Sequence, residues 1–244
     1  MSEQIENNAV ASPPVRLEKV FQRFTFSQRW EHWLILLSFT VLFLTGLPQK
    51  FRTASWSQQL LATPDQIALI QTIHHIAAIV LILEVIYHLG KAVFRMAQRR
   101  LPDDIFVSWQ DFRDAGKMVA YLLFLRKSPP PFGKYNFEQK VTYWFMFVGI
   151  GIMIFSGLIL WFPEIVTRIL PGGIIPAAKL AHSTEAVVAA IFVVIWHFYH
   201  VHLQRLNLSI FNGKIGEKDM KTYHTLEYER LTEDQPGESG GEQA

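Results

Sequence analysis

Apolar residues along this chain are gathered into four blocks separated by polar, basic or breaker-rich segments. The blocks cover roughly residues 30–47, 66–89, 141–163 and 178–203. Each approaches or exceeds the roughly 20 residues that a helix needs to cross about 30 Å of hydrocarbon. The first is the shortest, yet from His32 to Gln49 it carries no formal charge. The pattern predicts an all-α integral membrane protein, a four-transmembrane-helix bundle occupying residues 29–205. Terminal tails at 1–28 and 206–244 flank it.

Local signals refine the elements. Gly46 and Pro48 are expected to stop the first span, and Thr63 or Asp65 in "ATPD" to cap the second. The only long connection, 101–140, holds "WQDFRDAGKMVAYLLFL", which reads as an amphipathic helix lying on the membrane surface, followed by the breaker "SPPPFG". Gly149, Gly151 and Gly157 in the third span allow close approach of a backbone or a flat ligand. Trp30, Trp33, Trp161 and Trp196 fall near span ends, where interface aromatics belong.

Charge adds orientation. Of 23 Lys and Arg residues, four precede span one, ten lie between spans two and three, and five follow span four. The other two connections hold two each. By the positive-inside rule both termini are cytoplasmic, in a bacterial inner membrane. The net charge of +2 is thus an average over an asymmetric molecule and gives no reason to expect nucleic acid as a partner. A polar stretch of about 29 residues before span one argues against a cleavable signal peptide.

There is no cysteine, which excludes disulfides, iron–sulfur clusters and covalent c-type haem attachment within this chain. Histidine is the remaining ligand, and its placement is unusual. A histidine in hydrocarbon has to lose water and find a partner, yet His32, His74, His88, His182 and His197 all lie in or at the edge of spans. His74 and His88 are 14 residues apart, about 21 Å of rise and about 40° of rotation. His182 and His197 are 15 apart, about 22 Å and roughly 60°. Spans two and four run in the same direction, so these residues fall at two matching depths, one outer and one inner. Two stacked haems need an axial histidine pair at each level, whereas zinc would want more ligands at one level. Histidines bonded to backbone or to each other are the plain alternative.

With these residues in view the chain resembles a known family, the di-haem cytochrome b subunits of membrane-bound formate dehydrogenases and nickel–iron hydrogenases. The resemblance rests on "RWEHW", "HHIAA", "GKYNFEQK" and "HSTEAVVAAIFVVIWHFY" and covers about residues 20–215. It implies two haem b groups, the outer held by His74 and His182, the inner by His32 and His197. The family usually has 14 residues between its two span-four histidines, where this chain has 15. His88 and His200 are additional inner histidines, candidates for an alternative inner ligand, a third haem or a quinone pocket. The resemblance also implies a menaquinone or ubiquinone site at Asn136, Gln139 and Lys140, whose residues read equally as a helix start. Glu84 and Glu185 are read as the acids inside spans, for proton relay or as acceptors that orient a histidine.

The implied function is that of a membrane-anchoring cytochrome b subunit. It would pass electrons between a periplasmic partner, an iron–sulfur subunit or a multihaem c-type cytochrome, and quinone in the surrounding lipid. A histidine-based metal or proton transporter without haem is the rival reading.

Overall fold

A computed structural model describes residues 19–99, 105–203 and 208–233. Four of its helices are long and apolar enough to cross a membrane: Phe26–Lys50, Pro64–Ala97, Phe137–Trp161 and Ile174–Tyr199.

The first, α1 (Phe26–Lys50), begins at Thr25, whose hydroxyl accepts from Gln28 N–H while Gln28 returns a bond to the Thr25 backbone. It does not stop at Gly46. Pro48 sits inside the last turn, and the helix ends two residues later. A short helix, α2 (Ser55–Leu60), follows, and Ser57 Oγ donates to the Pro48 carbonyl at 2.6 Å. Helix α3 (Pro64–Ala97) is capped by Thr63, one of the two residues expected, with Pro64 in its first turn. Its 34 residues rise about 51 Å, more than the hydrocarbon is thick.

Helix α4 (Trp109–Leu122) occupies the long connection and ends short of the expected 125, where Phe124 turns to φ 60°. Asp111 accepts from Ser108 N–H at its start and is ion-paired at 2.9 Å with Lys140 of α5 (Phe137–Trp161). Trp144 Nε1 donates to the Ile105 carbonyl. These contacts fasten α4 to the start of α5. The turn α6 (Pro163–Val166) leads to α7 (Ile174–Phe192), which continues as a π-helical segment over Val193–Leu203.

Helix α1 packs chiefly on α3 and α5 on α7, and α1 also meets α7. Small residues mark these seams: Ala77, Ala178, Ala189 and Ala190 are buried. Large apolar side chains point outward instead, Leu37, Phe155 and Leu180 among them. That inversion suits a lipid surround, where close backbone approach rather than hydrophobic burial drives association.

A feature absent from the sequence reading joins the two ends of the described chain. Strand β1 (Val20–Gln22) pairs antiparallel with β2 (Lys214–Gly216), Phe21 opposite Ile215. With α8 (Ser209–Asn212), α9 (Glu217–Tyr223) and α10 (Thr225–Glu233) they form a small lobe centred on Phe21, Ile215 and Met220. Gly213, at φ 80°, makes the turn before β2, and its carbonyl accepts from Arg23 and Phe24 N–H.

Candidate functional site

At one level of the bundle His74 of α3 faces His182 of α7, ring centres 6.3 Å apart. Both rings are held from behind. His182 Nδ1 lies 3.1 Å from the Met153 carbonyl and 3.0 Å from Ser156 Oγ. A carbonyl can only accept, so Nδ1 carries the proton and Nε2 keeps its lone pair. His74 Nδ1 lies 2.8 Å from Thr45 Oγ1, whose single proton already goes to the Val41 carbonyl. His74 Nδ1 is therefore also the donor. Fixing one imidazole nitrogen so that the other presents a lone pair is how proteins orient metal-ligating histidines.

The two rings border a cavity of about 440 Å³ whose walls include Gly46, Gly149, Gly157 and Glu185. Space there depends on missing side chains. A Cβ on Gly157 would come within 3.1 Å of His182 Cε1, and one on Gly149 within 2.6 Å of Glu185 Oε1. Lys50, Arg52 and Lys179 also line the cavity.

At the other level His32 of α1 faces His197, ring centres 6.1 Å apart and planes 34° apart. His197 lies in the π-helical segment, and this resolves the 15-residue spacing. Eleven α-helical steps and four π-helical ones, at about 100° and roughly 80° per residue, bring His197 within roughly 20° of the direction of His182. A continuous α-helix would leave roughly 60° between them.

A six-coordinate metal between two imidazoles has metal–nitrogen bonds of about 2 Å on each side, which with the half-widths of two rings sets their centres about 6 Å apart. Both pairs meet that separation. Each pair would offer two imidazole nitrogens to one iron, so the donor set fits a haem held by two histidines.

Among the described residues, His88 and His75 are otherwise engaged. His88 Nδ1 lies 2.8 Å from Glu31 Oε2, and its Nε2 lies 3.1 Å from Tyr143 Oη. His75 stacks on Trp161 at 4.0 Å. The side chain of His200 lies outside the described residues. Glu31 also receives Ser27 Oγ at 2.8 Å and pairs with Lys91. Glu84 is 4% exposed, and neither of its oxygens has a hydrogen-bond partner among the described residues. Glu31, Glu84 and His88 each bring a ligating atom within 4.8 Å of the others. The acids inside the spans are thus three rather than two, since Glu31 is buried in α1 beside Glu84.

Asn136 and Gln139 form the capping box of α5: Asn136 Oδ1 accepts from Gln139 N–H at 2.8 Å, and Gln139 Oε1 from Asn136 N–H. Capping uses the two amide oxygens and leaves both NH2 groups as donors. Lys140 is buried against Asp111. Burial alone would raise the Asp111 carboxyl, but the Ser108 backbone N–H and Lys140 outweigh it and hold the group below its ordinary range. In the lobe, burial lowers the Arg23 guanidinium from its usual value, while Tyr135 and Glu227 oppose the shift.

Four apolar helices with two facing histidine pairs define a membrane cytochrome of the b type. The chain belongs to the prokaryotic cytochrome b561 family, whose model matches residues 23–212. It is 22% identical over 214 residues to the cytochrome b556(Fdn) subunit of the nitrate-inducible formate dehydrogenase of Escherichia coli, covering 87% of this chain and 92% of that one. It is 29% identical over 182 residues to the cytochrome b556(fdo) subunit of formate dehydrogenase of the same organism, covering 72% and 76%. To the formate dehydrogenase cytochrome b556 subunit of Haemophilus influenzae it is 24% identical over 158 residues. The family resemblance read from the motifs is borne out, and haem b and electron transport follow from the family.

Sequence reasoning missed Thr45, Ser156, Glu31 and Tyr143. Hydroxyls in an apolar run carry no signal of their own. Glu31 had one, since it adjoins His32 one residue inside the first apolar block.

Proposed function

We propose that this chain is the membrane-anchoring cytochrome b subunit of a respiratory oxidoreductase complex. It moves electrons between a periplasmic redox partner and the quinone pool through two b haems. His74 and His182 hold the outer haem, His32 and His197 the inner one. The observation that carries the reading is the pair of ring separations, 6.3 and 6.1 Å, at two levels of one bundle.

The division of labour follows from the side chains. Thr45, Ser156 and the Met153 carbonyl orient the outer ligands, and the glycines of α1 and α5 keep the cavity clear. When bound, each haem supplies an iron that gains and loses one electron. That both nitrogens of His88 lie on Glu31 and Tyr143 supports His32 with His197 as the inner pair. The NH2 groups of Asn136 and Gln139 take a quinone carbonyl at the start of α5, and Lys140, neutralised by Asp111, fixes that end of the helix. Glu185 supports the outer cavity, and Glu84 belongs to the inner polar cluster.

The distribution of Lys and Arg puts both termini and the tails 1–28 and 206–244 in the cytoplasm, with α4 on that membrane surface. The outer face then consists of the 51–63 and 162–173 connections. Since the similar proteins are named as subunits of formate dehydrogenases, an iron–sulfur subunit is the partner expected there, ahead of a multihaem c-type cytochrome. Menaquinone is the first expectation for the acceptor and ubiquinone the second.

A redox titration of the purified chain in mild detergent, followed at the haem absorption bands, tests this. Two one-electron components, both reoxidised by added quinone, are expected. A chain without haem absorbance, or with haems inert to quinone, would contradict the proposal and favour a metal or proton transporter.

A further inference from the structure

Five side chains from three helices form an unbroken polar chain at the inner level. Tyr87 Oη lies 3.5 Å from Ser27 Oγ, and Ser27 Oγ donates to Glu31 Oε1 at 2.8 Å. Glu31 Oε2 lies 2.8 Å from His88 Nδ1, and His88 Nε2 lies 3.1 Å from Tyr143 Oη. One end is open, since Tyr87 is 55% exposed and the His88 side chain 35%. The other end is the Tyr143 hydroxyl, on α5 one turn after Gln139 and Lys140. The chain therefore runs from an accessible edge to the residues assigned to quinone.

We propose that Tyr143 is the proton donor to the quinone oxygen, that His88 reloads it, and that Glu31 is a positioning residue for His88. This rests on the quinone reading above and deepens it. Glu31 accepts from Nδ1–H, which leaves Nε2 to exchange a proton with the phenol. The arrangement has the logic of a carboxylate–histidine–hydroxyl triad, in which the carboxylate stays ionised throughout. Its charge stabilises the imidazolium that His88 becomes on taking a proton from water.

The balance closes. Each quinone takes two protons and two electrons, which a bound inner haem would supply. The Tyr143 O–H bond breaks as the quinone O–H bond forms, and the phenolate recovers its proton from His88 Nε2. The cycle runs twice per quinol, and quinol oxidation reverses it. Charged and titratable groups around His88 are Glu31 of α1, Glu84 and Lys91 of α3, and Tyr143 of α5. Glu84, buried, without a partner and within 4.8 Å of His88 and Glu31, supplies a second negative charge or a further proton.

The test is the reoxidation of chemically reduced haem by menadione in the full-length purified chain, followed by stopped flow. The parent, Y143F, H88Q, E31Q and N136A are compared, with haem content and menadione affinity measured in each. The proposal expects Y143F to keep both haems and bind menadione, yet reoxidise at least tenfold more slowly. It expects H88Q to slow reoxidation as Y143F does, with both haems and menadione affinity kept. E31Q should slow it to a smaller extent at unchanged haem content and menadione affinity, and E31D should restore most of the rate, which a merely structural carboxylate would not do. Parental rates in Y143F and H88Q, while N136A abolishes menadione binding, would overturn the relay and leave the quinone site standing. A parent that neither binds nor is reoxidised by menadione would overturn both.

Discussion

His182 Nδ1 donates to the Met153 carbonyl of the facing helix at 3.1 Å. That bond sets the tautomer of His182 and joins α7 to α5 at the level proposed for the outer haem. His74 Nδ1 has two supports of the same kind, the hydroxyl of Thr45 at 2.8 Å and the backbone of Leu42. Both ligands should therefore tolerate loss of a hydroxyl. Ser156→Ala leaves the Met153 carbonyl in place and should retain the outer haem. Thr45→Val leaves the Leu42 backbone to His74 and should weaken outer-haem affinity by well under the about 10- to 100-fold that losing all such support costs. Haem retention on transfer to apomyoglobin checks both, and a loss of about tenfold or more in either variant would show that the hydroxyl holds the ring.

Gly157 and Gly151 lie on the same helix but in different surroundings. A Cβ at Gly157 meets His182 at 3.1 Å, and one at Gly151 meets nothing within 4 Å. Gly157→Val should lose the outer haem and keep the inner, halving haem content. Gly151→Ala should be silent. Equal loss in both would place the effect in helix association rather than in the cavity.

The π-helical segment makes a prediction about length. With one residue deleted between Val193 and Trp196, an ordinary α-helix returns His197 to within about 40° of His182, so the inner haem should survive. Deleting two residues swings His197 away by roughly 140° and should remove it. Haem content and the spectrum of the inner component report both.

Asp111 and Lys140 tie α4 to α5. Because the Asp111 carboxyl is held below its ordinary range, the tie is fully present above the unfolded carboxylate pKa. It is lost only as pH falls through the lower folded value. Hydrogen exchange in α4 should stay slow at neutral pH and accelerate in strongly acidic solution. Asp111→Asn should make exchange fast at every pH, since unpairing a buried ion costs about 3 kcal/mol or more. An exchange rate indifferent to both changes would show that α4 is held by other contacts.

Four helices were legible because span length and lack of charge are properties of single segments. The histidines were legible because their spacing on two parallel helices is regular. What escaped depended on contacts between distant residues. The pairing of Val20–Gln22 with Lys214–Gly216 joins segments almost 200 residues apart, and three-residue strands have no periodicity to read. Tyr143 gained meaning only when α5 placed it against His88. The π-helical turn was hidden because an angle of 100° per residue is an assumption about backbone, and His197 lies where it fails.

Counting haem b per polypeptide by the pyridine haemochrome method, in the parent and single-histidine variants, tests whether each of the two histidine pairs holds one haem. Two haems are expected in the parent, one after His74→Ala, His182→Ala, His32→Ala or His197→Ala, and two after His88→Ala. One haem after His88→Ala with two after His32→Ala would contradict this assignment and move the inner haem onto α3 and the segment after α7.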